Sequence, residues 1–256
     1  MGSNERVAIV TGGAGTIGFE VCLQLAQAGV AVVVNGRNAE RCREAAERLA
    51  AQCPQARVTP LAADISDHAA CVDLIAACEA RFGRLDIVVH CALSPVERTA
   101  GLFESTDPGQ FQSMLHQVVC APMYLVHAAL PALRRAGGGS ITAFPSDSGK
   151  VAAPNQSLVG ASRAAVMMFM RGLALEVSAH GIRCNCIAPT FVDTPALREG
   201  MSGGPHAERM AKAAARAKLG LPTASELAAL AVFLSSPAAA HLTGQVISVN
   251  GGLTAA

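Results

Sequence analysis

Short runs of Val, Ile and other apolar residues alternate along the chain with longer stretches whose apolar positions recur at helical spacing. Arg6–Thr11, Val30–Asn35, Arg57–Ala62, Leu85–His90, Ser140–Phe144, Ile182–Ala188 and Gln245–Val249 read as strands. Several are nearly continuous in β-branched residues, as strands covered on both faces are. Between them, Ile17–Ala28, Ala39–Ala51 and Ala69–Phe82 carry helical spacing, with Asn38 and Ser66 as expected N-caps and Gly29 and Gly83 as expected stops. The alternation predicts an α/β fold: a doubly wound Rossmann sheet of seven parallel strands with helices on both faces. No repeat, low-complexity tract or linker interrupts it, so residues 1–256 are expected to form a single domain. Leu197–Leu219 is looser and rich in Ala, Lys and Arg; with its flanks it predicts a mobile flap at about residues 191–221.

Composition narrows the function classes. With 51% hydrophobic and 15% charged residues, the chain is not of the disordered kind. Twenty basic and nineteen acidic residues leave a net charge of +1, so neither a nucleic acid nor a membrane is an expected partner. No uninterrupted apolar run reaches the roughly 18 residues of a bilayer span, and the first residues lack a signal-peptide layout. The nine cysteines form no C-x-x-C pair and the seven histidines no ligand cluster. Buried thiols in a reducing cytoplasm, and no metal, are the expectation.

The first strand runs directly into Thr11-Gly12-Gly13-Ala14-Gly15-Thr16-Ile17-Gly18, where a helix begins. Glycines there permit a tight turn and let a pyrophosphate approach the backbone, while the helix offers free N–H groups and its positive dipole end. In this position the cluster points to a dinucleotide. The second strand ends Val34-Asn35-Gly36-Arg37-Asn38. No acidic residue stands at Gly36 to bind ribose hydroxyls, and Arg37 can pair with a 2′-phosphate, so NADP(H) is expected over NAD(H). A solvated loop position is the plainer account of Arg37.

The loop resembles the TGxxxGxG of the classical short-chain dehydrogenase/reductase family, with Gly12 and Gly18 matching and Thr16 at the usual middle glycine. The resemblance spans nearly the whole chain. Asp64-Ile65 is similar to the adenine-contacting pair, Leu85–Val89 to the fourth strand, and Asn185-Cys186-Ile187-Ala188-Pro189 to the N-x-I-x-P stretch. Thr194 matches the threonine that contacts the nicotinamide carboxamide, and Leu242–Gln245 with Val249–Gly252 resemble the closing strand, which in the family packs at a tetramer interface. The resemblance implies further cofactor contacts from Ile17, Ala92, Val192 and Arg163.

The family's chemistry is where the resemblance fails. It rests on a tyrosine that donates a proton to the substrate carbonyl and a lysine four residues later that lowers its pKa. A serine binds the carbonyl, and an asparagine supports a relay water. Ser146 matches the serine, but Val159 stands at the tyrosine, Arg163 at the lysine and Val118 at the asparagine, while N-N-A-G reads His90-Cys91-Ala92-Leu93. Tyr124, the one tyrosine of the chain, lies in the helix before Ser146 and is expected to pack. Valine exchanges no proton, and a lost general acid costs roughly 10²–10⁴ in rate. Arg163 can still donate to a ribose, but guanidinium does not deprotonate near neutral pH.

Lys150 and Asp147, beside Ser146, are alternative donors on a loop where such groups are usually solvated. His90 at a strand end is either a cleft residue or, more simply, a satisfied histidine. His116 and His127 read as surface positions, and Cys91 and Cys120 as small fillers without an activating partner.

Three functions follow. The first is a non-catalytic or structural subunit in a homo- or hetero-oligomer, a tetramer in the family. There the helices equivalent to Phe111–Arg135 and Ser157–Ala179 pair across an interface, and some heteromeric relatives act on acyl-CoA thioesters. The second is an active NADP(H)-dependent oxidoreductase with another proton donor. The third is a non-redox lyase or isomerase using the pocket.

Overall fold

The computed structural model describes residues 5–92, 101–200, 207–208, 211–212 and 214–255. Seven strands form one parallel sheet: β1 Val7–Thr11, β2 Ala31–Gly36, β3 Val58–Ala62, β4 Ile87–His90, β5 Gly139–Ala143, β6 Ile182–Pro189 and β7 Val246–Val249. Their order is β3-β2-β1-β4-β5-β6-β7, so the winding reverses between β1 and β4. A crevice opens outside the strand C-termini at such a reversal, and ligands of open α/β sheets bind there. All seven expected strands are present, with ends shifted by one or two residues.

The helices are α1 Thr16–Gln27, α2 Ala39–Gln52, α3 His68–Phe82, α4 Phe111–Leu115, α5 Ala121–Arg135, α6 Ser157–Val177, α7 Pro195–Gly200 and α8 Ala224–Ser235. On one face α3, α5 and α6 bury Leu74, Leu125 and Met170 against Ile9 and Ile141. On the other, α1, α2 and α8 bury Leu25, Leu49 and Leu227 against Val10 and Ile187. The helical stretches Pro108–Arg135 and Ser157–His180 are long and apolar enough to cross a bilayer by length and composition, although neither is an unbroken apolar run. Each buries one side against the sheet, which accounts for its composition.

Two local expectations are corrected. The N-cap of α3 is Asp67, whose side chain accepts from Ala69 N–H at 2.9 Å. Ser66 instead donates its N–H and hydroxyl to Asp64 Oδ1. The helix expected over Phe111–Arg135 contains a π-turn at His116–Cys120, between α4 and α5. Asn38 does cap α2, accepting from Arg41 N–H, and Gly83 closes α3 at φ 81°. Of the expected flap, α7 is described, while residues 201–206, 209–210 and 213 lie outside the described residues, as does Leu93.

Candidate cofactor and active site

The crevice at the β1/β4 reversal is a cleft of about 410 Å³. Its floor is the glycine turn. At Gly12, φ is +68° and a Cβ would stand 2.7 Å from Ala92 Cα; at Gly18 a Cβ would meet Gly12 O at 2.2 Å. No side chain is tolerated at either point, and the backbone lies bare to the cleft. Gly15 is the N-cap of α1, so the first-turn N–H groups at Thr16 and Ile17 lack partners within the helix. This arrangement fits a pyrophosphate.

Gly12, Thr16, Ile17, Gly18, Arg37, Asp64, Ile65, Ala92 and Thr194 all line the cleft. Val192 does not; it packs against the core beneath α1 and α8. Arg163 is also outside the lining, only 8% exposed on α6. The cleft further contains Asn38, Arg41 and Gln117, which motif reading missed. Arg41 lies in the first turn of α2, out of the loop's sequence frame, and Gln117 lies in the π-turn. Burial alone would raise the Asp64 carboxyl. Hydrogen bonds from Ser66, with the charges of Arg37 and His116 near it, hold it below the usual carboxylate range.

His90 is both cleft wall and satisfied histidine. Its Nδ1 shares a 2.9 Å hydrogen bond with Thr11 Oγ1, and burial together with the Arg163 charge lowers its pKa to about 4. A histidine held neutral in this way has no proton to give near pH 7. Cys91 lines the cleft too, but burial and Cys22 push its thiol well up, so it is no nucleophile. Cys120 is half-buried in the π-turn. Tyr124 packs partly buried on the α3/α5 core, with His68 and His116 edge-on to its ring. His127 pairs with His68 on the outer surface.

Val159, Val118 and Met114 form a buried cluster of their own, with Leu158 and Val119 at its edge. Ser146 precedes a short turn, and its Oγ accepts from Ser148 N–H at 3.4 Å. The loop fits tightly under α6: a Cβ at Gly160 would lie 2.7 Å from Ser148 O.

The two alternative donors are engaged elsewhere. The buried Asp147 accepts from Thr190, Ser248, Thr254 and Asn250, and these bonds keep its carboxyl below the usual range although burial alone would raise it. Lys150 Nζ donates to Ser248 Oγ at 2.8 Å and to Val246 O at 3.3 Å, which holds it on β7 and out of the cleft lining. β7 thus supplies the acceptors that bind Lys150. Among the described residues, no group of three or more His, Cys, Asp or Glu is placed to hold a metal.

A family model described as enoyl-(acyl carrier protein) reductase matches residues 12–254. The chain belongs to the classical short-chain dehydrogenase/reductase family. It is 31% identical to a 7alpha-hydroxysteroid dehydrogenase of Bacteroides fragilis over 98% of this chain and 95% of that protein. Among solved structures, YwfH, titled an NADPH dependent reductase involved in bacilysin biosynthesis, superimposes with a TM-score of 0.89 at 26% identity, covering 99% of this chain and 100% of that one. A 7 alpha-hydroxysteroid dehydrogenase complexed with NADH and 7-oxo glycochenodeoxycholic acid gives 0.87 at 26% identity, over 96% and 93% of the two chains. Members of this oxidoreductase family bind nicotinamide cofactors. The two titles differ in which one they carry.

Proposed function

We propose that this chain is a cofactor-binding, non-catalytic subunit of a heteromeric short-chain dehydrogenase/reductase, whose proton transfer is made by a homologous partner chain. The observation that carries the reading is the buried cluster of Val159, Val118 and Met114 at the family's tyrosine and asparagine positions. A bound nicotinamide would supply or accept hydride. Hydride delivery to a carbonyl leaves an alkoxide, which is costly in a dry cleft unless a proton arrives with it. Burial holds His90 neutral, Lys150 is held on β7, and Asp147 already accepts from four side chains. Ser146 can hydrogen-bond an oxygen there but has no evident route for replacing a donated proton.

The cofactor in this reading is NADP(H) rather than NAD(H). Arg37 and Arg41 both line the cleft beside Gly36, and two guanidiniums favour a 2′-phosphate. The assembly is a tetramer in the cytoplasm, the compartment that suits nine free cysteines. The similarity to a hydroxysteroid dehydrogenase and to an NADPH dependent reductase favours a second reading, an active oxidoreductase. Purification of the untagged chain from its native source, with assay of the pure chain alone, separates the two. Co-elution of a second short-chain dehydrogenase chain and negligible turnover of the isolated one are expected. Robust NADPH-dependent carbonyl reduction by the pure chain would sink the subunit reading.

A further inference from the structure

At the opposite end of the strands from the cofactor cleft, a second cavity of about 550 Å³ lies beneath the end of α8. Three side chains reach it from the sheet. Ser140 on β5 and Arg183 on β6 are register partners, and Arg6 immediately precedes β1. Alternation decides their direction. Val7, Ile141 and Ile182 pack toward α5 and α6, so Arg6, Ser140 and Arg183 stand on the α8 face, where Ala8 and Ile87 pack.

Both guanidiniums bear on the last carbonyls of α8. Arg6 Nη1 donates to Ser235 O at 2.5 Å; Arg183 donates from Nη1 to Leu234 O at 2.6 Å and from Nη2 to Ser236 O at 3.3 Å. These bonds occupy a minority of the five N–H groups that each side chain carries. Capping the helix explains the two arginines in part, but it leaves two features without a cause.

The first is charge. Asp86, the carboxylate in the cavity wall, is already taken by Arg84 and by Val7 N–H. Burial and the neighbouring Arg6 charge both act against the Arg183 cation. The second is Ser140. It is only 2% exposed, and its Oγ has no hydrogen-bond partner. Buried hydroxyls are rarely left unbonded, and this one stands beside two cations with its hydroxyl proton free to donate.

We propose that this cavity binds the phosphate group of a small molecule, held between Arg6 and Arg183 with Ser140 donating a third hydrogen bond. A tetrahedral dianion matches the site better than a carboxylate, because it offers more acceptor oxygens and balances both guanidiniums. The site is independent of the cofactor cleft, which lies at the other end of the strands.

Titration calorimetry with inorganic phosphate at fixed ionic strength tests this, with acetate as the carboxylate arm and Arg6→Gln and Ser140→Ala as variants. Phosphate bound in the cofactor cleft is untouched by either change. Expected is a phosphate site that weakens about tenfold or more in each variant, since each loses a charge-assisted hydrogen bond, and acetate binding that is weaker throughout. Ser140→Ala, which removes an unbonded hydroxyl, should melt no lower than the parent without phosphate. No phosphate binding, equal affinity for acetate, unchanged affinity in either variant, or a lower melting point for phosphate-free Ser140→Ala would each overturn the proposal.

Discussion

Val159 lies in one buried apolar cluster with Met114 and Val118. A tyrosine placed there alone must enter a cluster already filled by Met114 and Val118. Overpacking of this kind costs about 1–3 kcal/mol, and urea denaturation of Val159→Tyr should register such a loss. Combining Val159→Tyr and Arg163→Lys with Val118→Asn relieves the crowding and rebuilds a phenol and ammonium four residues apart on one helix face. That triple variant is expected to gain measurable NADPH-dependent carbonyl reduction over the parent. At the other end of the cleft, Arg37→Asp removes a phosphate partner and adds repulsion. Fluorescence titration should show NADPH weakened more than NADH. Equal losses would mean that Arg37 does not read the phosphate.

Among the elements, the turn after β5 shows how a polar residue can belong to the fold rather than to the chemistry. Asp147 lies beside the retained Ser146, yet its carboxylate gathers Thr190, Ser248, Asn250 and Thr254, joining that turn to the segment after β6, to β7 and to the residues beyond it. Asp147→Ala leaves these donors without their charged acceptor and should cost about 3 kcal/mol in denaturant unfolding. The sign with pH follows from the lowered folded pKa. The contribution is fully present above the ordinary value of 3.8 and is lost as pH falls through the lower folded one. An acid-unfolding midpoint that Asp147→Ala leaves unmoved would contradict this. Within the π-turn, Gln117 lines the cleft and Val118 lies in the apolar cluster.

For the whole molecule, the outer side of α6 leaves Met168 65% and Leu175 80% exposed on a helix otherwise rich in core contacts. Large apolar side chains in such a position suit a subunit contact. Leu175→Glu is expected to lower the sedimentation mass of the assembly while leaving far-UV circular dichroism unchanged. The same mass in both proteins would place the interface elsewhere.

The order of strands and helices was legible in the sequence because both faces of a parallel sheet are buried, which imposes nearly continuous Val and Ile runs separated by helical spacing. The phosphate loop was legible for a steric reason: Gly12 and Gly18 stand where no Cβ fits. That Tyr124, the one tyrosine of the chain, lies in another helix than Val159 could be read directly as well. Contacts between distant segments were not legible. Lys150 read as a loop residue, usually solvated and at most an alternative donor, while its acceptors come from β7, nearly a hundred residues on, with Ser248 at a separation of 98. Ser66 looked like a cap until its hydroxyl was found on Asp64. Local sequence sets backbone conformation and which face is apolar. Which partner satisfies a polar group, as Ser248 does for both Asp147 and Lys150, is decided only when the sheet brings its strands together.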